Sequence, residues 1–196
     1  MPARLTDLMI EAHADFGRTE RSTDRRMVRK RSAETPIKEH AMATIHLNQT
    51  TTATPGQFLA GLTDFGPGRS ELFGNSADGY LKVHDQGPSQ ADVTEGSGGV
   101  WERLHYDWSD PHRITMTTTD SNVWGGRSGH TYTLRPRPDG TTDVDAVVVR
   151  EGKNLKGRLL AIVVGIGGKQ VLGKALGKTI KAIEAQDYGT NPAELA

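Results

Sequence analysis

The chain has 196 residues and carries 24 Lys plus Arg against 24 Asp plus Glu, so its formal net charge is +0. This length suffices for one ordinary domain with a buried core. The absence of cysteine excludes disulfides and thiolate chemistry, and Met1–Ala41 lacks the apolar run of a secretory signal, so we expect a cytoplasmic protein.

The charges are unevenly distributed along the chain. Met1–Ala41 has nine Lys and Arg against seven Asp and Glu, Met42–Arg150 has eight against thirteen, and Glu151–Ala196 has seven against four. An acidic central segment argues against a nucleic-acid-binding surface there. The basic C-terminal segment leaves weak contact with an anionic membrane surface as an alternative role.

The first 41 residues are rich in charge and poor in side chains that could form a core. Their run RRMVRK, Arg25–Lys30, could form a basic patch for nucleic acid or membrane, but the surrounding composition favours a solvated, mostly disordered extension. We therefore predict a basic N-terminal extension over residues 1–41, a folded domain over residues 42–187 and a flexible tail over residues 188–196.

The folded domain is predicted to begin with a strand and a short helix. Ile45 and Leu47 alternate with polar residues, which indicates a strand. Thr54 stands where an N-cap is expected, Pro55 at the first helical position, and Gln57 at the position that completes a capping box. These three signals predict a helix that starts at Pro55.

A second short helix and a run of strands are predicted next. GPGRSELF, Gly66–Phe73, can form one or two helical turns before the chain breaks at Gly74. Over Asp78–Arg150, apolar residues recur at every second position in six segments separated by turn-forming residues. The last two segments are joined through Asp139–Gly140, a strong hairpin signal. Six strands with short connections predict an antiparallel meander.

The segment RLLAIVVGIGGKQVLGKALGKTIKAIEAQ, Arg158–Gln186, has three interpretations. Its continuous apolar run, Leu159–Ile166, is far shorter than the ~20 residues that a membrane-spanning helix needs. As a phosphate-binding turn it is a near miss, because Gln170 replaces the last glycine of a dinucleotide fingerprint and Ala175 replaces the Ser or Thr of a phosphate loop. We therefore predict one long helix packed on a sheet.

The two halves of this helix differ in pattern. Leu176, Ile180 and Ile183 share one side of the second half, which indicates a face packed on the sheet. The first half is apolar nearly all round. That pattern is typical of a helix covered by the sheet on one side and by a loop, a partner or a ligand on another.

The predicted order is one strand, two short helices, six antiparallel strands and a long C-terminal helix. With TTTATPGQFLAGLTDF (Thr50–Phe65) and NLKGRLLAIVVGIGGKQVLGKALGKTIKAIEA (Asn154–Ala185), this order resembles the START-related (Bet v 1-like) superfamily, specifically its polyketide cyclase/dehydrase-like branch, SRPBCC. The resemblance covers Thr44 to about Gln186. It implies an α+β helix-grip fold, in which a curved antiparallel seven-stranded sheet wraps around the C-terminal helix and leaves a cavity for a lipid- or polyketide-like ligand.

Alternation within the strands predicts which side chains face this cavity, and the first and last helices add further members. A shift of one residue in any strand would exchange the two faces of the sheet. The predicted ligand-binding residues are Phe58, Leu62, Phe65, Glu102, Tyr106, Trp108, Met116, Trp124, His130, Tyr132, Arg150, Leu159, Ile162 and Ile166.

Two functions fit such a cavity. In an enzyme of the cyclase or dehydratase type, Glu102 or His130 would act as general base, and Tyr132 or Arg150 would stabilise an oxyanion. In a binding protein, Glu102 pairs with Arg150, and His130 and Tyr132 are ordinary strand residues at the cavity rim. We expect the binding protein and leave catalysis open, because each residue is alone in its strand and no motif joins them.

Few other partners are expected. The chain has no cysteine and its histidines never form a close pair, so no metal site is predicted. We expect no cofactor, no nucleic acid and no stable membrane insertion. The predicted partner is a small hydrophobic ligand.

Overall fold

A computed structural model describes residues 41–74, 76–77 and 79–186. Apart from Ala41, the predicted N-terminal extension lies outside the described residues, as does the predicted tail. The described helices and strands are β1 (Met42–Thr51), α1 (Pro55–Thr63), α2 (Arg69–Leu72), β2 (Lys82–Gln86), β3 (Gln90–Ser97), β4 (Val100–Asp110), β5 (Arg113–Ser121), β6 (Trp124–Pro136), β7 (Thr142–Gly152) and α3 (Leu155–Ala185).

The strands form one curved seven-stranded sheet in the order β1-β7-β6-β5-β4-β3-β2. All neighbouring strands are antiparallel, and β2 to β7 pair in chain order. β1 joins the far edge of this meander, with Met42 opposite Glu151 and Thr51 opposite Thr142. The element order and the sheet with its long C-terminal helix confirm the predicted α+β helix-grip fold.

The capping box of α1 is formed as predicted. The Thr54 hydroxyl accepts a hydrogen bond from the Gln57 amide at 3.2 Å, and the Gln57 side-chain oxygen accepts one from the Thr54 amide at 2.9 Å. Pro55 occupies the first turn, where its missing N–H leaves no helical bond unmade. The helix starts where these local signals require it to start.

The first turn of α3 is fixed against the sheet at close range. Asn154 caps the helix by accepting a hydrogen bond from the Gly157 amide at 2.8 Å. A Cβ on Gly157 would lie 2.1 Å from the carbonyl oxygen of Val123, so only glycine permits this approach. Further along, the Gln49 side-chain amide donates to the carbonyl oxygen of Gly173 at 2.6 Å, which ties α3 to β1.

By length and composition alone, α3 could cross a membrane, and 28% of its most apolar window is buried. In the described structure it is the C-terminal helix that packs on β1 and β7. Its buried residues include Leu160, Val164, Leu176 and Ile180. This role as the core helix of the fold is consistent with a soluble protein.

A buried ion pair holds α2 against the sheet. Arg69 is only 1% exposed, and its Nε donates to the carboxylate of Glu95 on β3. Its remaining nitrogens donate to the carbonyl oxygens of Leu62 at 3.1 Å and Asp64 at 2.6 Å, and to the Tyr106 hydroxyl at 3.1 Å. One guanidinium therefore connects the end of α1, α2, β3 and β4.

The partners of this guanidinium are themselves satisfied. The carboxylate of Glu95 also accepts hydrogen bonds from the Ser76 hydroxyl at 3.1 Å and from the Tyr106 hydroxyl at 2.7 Å. The rings of Phe65 and Phe73 each lie 4.6 Å from the guanidinium carbon, which adds cation–π contacts. Burial, and next the charge of Glu95, raise the pKa of Tyr106 well above its usual value. The Tyr106 hydroxyl is therefore neutral and fully used within the core.

We predict that Arg69→Met lowers the free energy of unfolding by about 3–5 kcal/mol, because it leaves the buried charge of Glu95 uncompensated. Urea unfolding followed by circular dichroism measures the change. The matched control is Arg135→Met, since the Arg135 side chain in its ion pair with Asp145 is 62% exposed and an exposed pair contributes at most about 1 kcal/mol. Equal losses in the two variants would contradict a structural role for the buried pair.

Candidate functional site

The candidate site lies on the inner face of the sheet, which we define as the face that packs against α3. Strand pairing places directly opposite residues on one face. Ile45 is opposite Val148, Val148 is opposite His130, His130 is opposite Met116, and Met116 is opposite Tyr106. This row crosses five strands, and the β4 to β7 residues predicted from alternation lie on the same face.

Arg150 and Glu102 form a bidentate ion pair on the inner face. The two terminal nitrogens of Arg150 donate to the two carboxylate oxygens of Glu102, each at 3.0 Å, and both residues are 8% exposed. The Thr118 hydroxyl donates to the same carboxylate at 3.0 Å. The Arg150 guanidinium carbon lies 5.3 Å from the Trp124 ring centroid. This carboxylate is held as a structural counter-ion, the arrangement we expected of a binding protein.

The same guanidinium fixes the protonation state of His130. Arg150 donates to Nε2 of His130, and because arginine can only donate, Nε2 must be unprotonated. The neutral ring therefore carries its proton on Nδ1. Burial, and then the charge of Arg150, hold the pKa of His130 well below its usual value. His130 is a neutral donor at physiological pH and a poor general base through Nε2.

Two polar groups on β6 have no hydrogen-bond partner among the described residues: Nδ1 of His130 and the hydroxyl of Tyr132. Among the described residues, Nε of Arg158 is the only side-chain nitrogen or oxygen that is fully buried and has no hydrogen-bond partner. Both groups on β6 therefore keep some exposure to solvent. Burial raises the pKa of Tyr132 to about 12, so its hydroxyl remains a donor. Being two residues apart on one strand, both side chains point to the same side.

Apolar side chains surround this pair of donors. Phe58 and Leu62 of α1 are fully buried, and the Phe58 ring centroid lies 6.1 Å from that of Tyr132. Met116 and Val148 flank His130 on the neighbouring strands and are buried. The site therefore presents two hydrogen-bond donors beside apolar side chains, next to the buried pair of Arg150 and Glu102.

Several residues of the predicted ligand-binding set are engaged elsewhere. The Tyr106 hydroxyl belongs to the Arg69 cluster, and the Phe65 ring packs edge-on against Tyr106 at 5.0 Å between centroids. Trp108 is half-buried and donates to the carbonyl oxygen of Pro88 at 3.0 Å. These side chains support the wall of the site and offer no free polar group to it.

Three helical members of the predicted set lie on the wrong side of α3 to face the sheet. Leu159, Ile162 and Ile166 are 54%, 52% and 86% exposed, whereas Leu160 and Val164, on the opposite side of the same turns, are buried. The physical reason is the position of α3 over β1 and β7, which selects one side of a helix that is apolar nearly all round. We therefore leave these three residues out of the candidate site.

An open depression of about 240 Å³ lies beside the irregular pairing between β6 and β7. Most of its strand residues alternate with those of the inner face and so project from the outer face, but Met116 and His130 of the inner face also line it. Its lining consists of Thr115, Met116, Thr117, Arg127, Ser128, Gly129, His130, Thr131, Val147 and Val149.

The sequence-based prediction missed Arg69 and Glu95. A signal existed for Glu95, because it continues the alternation of Ala91 and Val93, which are buried on the inner face. No comparable signal exists for Arg69, which follows a glycine-rich turn and resembles a solvated helix residue in sequence. Its burial becomes evident only when α2 is placed over β3 and β4.

No protein-family model and no curated protein matches the sequence. Solved structures are similar to the chain in fold. One is a START superfamily protein from Mycobacterium smegmatis, with 14% identity, a TM-score of 0.53 and coverage of 72% of this chain and 94% of that chain. A second is the ZhuI aromatase/cyclase from Streptomyces sp. R1128, with 12% identity and a TM-score of 0.57. The match covers 73% of this chain and 94% of that chain.

A third is norcoclaurine synthase from Thalictrum flavum in complex with dopamine and hydroxybenzaldehyde, with 9% identity, a TM-score of 0.53 and coverage of 86% of this chain and 100% of that chain. These identities are low, so the three similarities establish the fold and leave the chemistry to the residues of this chain.

We predict that the His130 ring stays neutral, with its proton on Nδ1, as the pH falls through the unperturbed histidine value of about 6.5. Because the pKa of His130 is lowered in the folded state, the unfolded chain binds more protons than the folded protein just below that value. The free energy of unfolding therefore decreases as the pH falls through this range. Long-range ¹H–¹⁵N spectra report the tautomer and the titration. A His130→Gln variant should lose this part of the pH dependence, and a His130 ring that titrates at its usual pH would contradict the assignment.

Proposed function

The chain has the START-related (Bet v 1-like) helix-grip fold, and from this premise we propose that it binds a small hydrophobic ligand, lipid- or polyketide-like, between the inner face and α3. The observation that carries the proposal is the pair of unpartnered donors on β6, Nδ1 of His130 and the Tyr132 hydroxyl, beside buried apolar side chains. A cytoplasmic location belongs to the proposal, since a chain without cysteine suits a reducing compartment.

The two donors on β6 gain hydrogen bonds when a ligand supplies acceptor oxygens. A ligand that displaces water from these donors must offer them an acceptor, because a polar group left buried and unpaired costs about 1–3 kcal/mol. The other ionic and hydroxyl groups of the inner face, such as Glu102, Arg150 and Thr118, are hydrogen-bonded. A ligand with one or two acceptor oxygens on an apolar body would satisfy the remaining donors and fill the space beside them. A ketone, an ester or a carboxylic acid meets this description.

The fold relatives support a small-molecule ligand in general terms. The norcoclaurine synthase structure holds dopamine and hydroxybenzaldehyde, and ZhuI is an aromatase/cyclase. In this chain the corresponding ligand would contact Phe58, Leu62, Met116 and Val148 through its apolar part. Its oxygen atoms would accept from His130 and Tyr132.

The geometry favours binding over cyclase or dehydratase chemistry. Glu102 would have to leave a bidentate pair with Arg150 before it could accept a proton. His130 would have to give up its bond to the same guanidinium, against a lowered pKa. Neither candidate base is free to accept a proton in this arrangement, as general-base catalysis requires.

We predict that Nile red, an apolar fluorophore with one carbonyl oxygen, binds the protein, and that Tyr132→Phe weakens this binding about five- to tenfold by removing one hydrogen bond. Fluorescence titration measures both affinities. The matched control is Tyr80→Phe, because the Tyr80 hydroxyl accepts from the Gly99 amide on the β3–β4 turn. Failure of the wild-type protein to bind the probe, or equal affinity in both variants, would contradict the proposed site.

A further inference from the structure

The N-terminal half of α3 exposes a continuous apolar surface. Leu155, Leu159, Ile162 and Ile166 recur at helical spacing and are 74%, 54%, 52% and 86% exposed, and Val163 beside them is 47% exposed. We call these five residues the α3 stripe. Along the helix axis, Leu155 to Ile166 spans about 17 Å at 1.5 Å per residue.

The α3 stripe differs from the other exposed apolar residues. Among the described residues, the other large apolar side chains with such exposure are Met42 on β1 and Val83 on β2, each alone on its strand. Single exposed apolar residues are normal on soluble proteins, whereas a contiguous patch marks an interaction surface. The α3 stripe is therefore a candidate interaction surface.

The charges around the stripe indicate the chemistry of that partner. From Lys153 to Ile183 the chain has no Asp or Glu. At 100° per residue, Lys156 lies on one flank of the stripe, and Arg158 and Lys169 lie on the other. The cations of this segment are Lys153, Lys156, Arg158, Lys169, Lys174, Lys178 and Lys181.

These cations are largely free to meet an external anion. Lys153 has an ion-pair partner, Asp120 at 3.3 Å. Lys156 and Lys169 are exposed and have no ion pair among the described residues. An apolar stripe between basic flanks is the pattern of a helix that lies in the plane of an anionic membrane surface.

We propose that α3 docks on an anionic phospholipid bilayer through this stripe. Leu159 and Ile166 enter the boundary between head groups and acyl chains, and Lys156 and Lys169 contact the phosphates. A second copy of the chain fits less well, because two stripes placed face to face would oppose their basic flanks. α3 lies along the surface and does not cross it, since its other side remains packed on the sheet.

This docking site is separate from the proposed ligand cavity. Leu160 and Val164, which face the sheet, lie on the opposite side of the helix from the stripe. Docking therefore needs no opening of the core, and its test does not depend on the identity or presence of a ligand.

The experiment is co-sedimentation of the full chain with vesicles of phosphatidylcholine alone and of phosphatidylcholine mixed with phosphatidylglycerol. We expect binding to the mixed vesicles, and weaker binding as salt is raised because salt screens exposed charges. Leu159→Ser with Ile166→Ser should lower the affinity by about tenfold or more, since it removes most of the inserted apolar area. Lys156→Gln with Lys169→Gln should lower it on the order of tenfold through lost attraction to anionic lipid.

The matched control is Val83→Ser, which removes an exposed apolar side chain from β2 and should leave vesicle binding unchanged. All variants alter exposed residues, and thermal unfolding checks that each is folded. The proposal is overturned if the wild-type chain binds neither vesicle or if the stripe variant binds as the control does. It is also overturned if sedimentation velocity shows a dimer that the stripe variant abolishes, since the occupant is then a second copy.

Discussion

Two carboxylates lie directly opposite each other on the inner face, Glu95 on β3 and Glu102 on β4, and both are buried. Like charges in this position repel, and each would be costly to bury alone. Each is therefore paired with its own arginine, Glu95 with Arg69 and Glu102 with Arg150. The first pair fixes α2 over the sheet, and the second determines the polarity of the candidate site.

The consequences of the second pair extend along β6. Arg150 has donors left after binding Glu102, and one of them fixes the neutral tautomer of His130. The ring then presents Nδ1–H beside the hydroxyl of Tyr132, and both are donors. The site thus offers hydrogen-bond donors and apolar surface but no exposed charge, which suits an uncharged oxygen or a carboxylic acid on an apolar molecule.

Local patterns predicted the elements and the inner face, because a capping box at Thr54 and a period of two require only neighbouring residues. The pair of Arg69 and Glu95 could not be predicted, since only the packing of α2 over β3 brings them together and no strand pairing relates them. Leu159 and Ile166 were assigned to the wrong side of α3 for a related reason. The first half of α3 is apolar nearly all round, so it carries no local signal for the side that meets the sheet. The position of α3 over β1 and β7 determines which side is buried.

The central claim is that the space beside His130 and Tyr132 holds a small apolar molecule. Native mass spectrometry of the protein purified from its own cells, compared with a denatured sample that releases anything bound, tests this most directly. We predict one bound molecule per chain that is released on denaturation and contains at least one acceptor oxygen. A chain that has the same mass in both samples and takes up no apolar probe would contradict the claim, because α3 and the side chains of the sheet would then fill the interior.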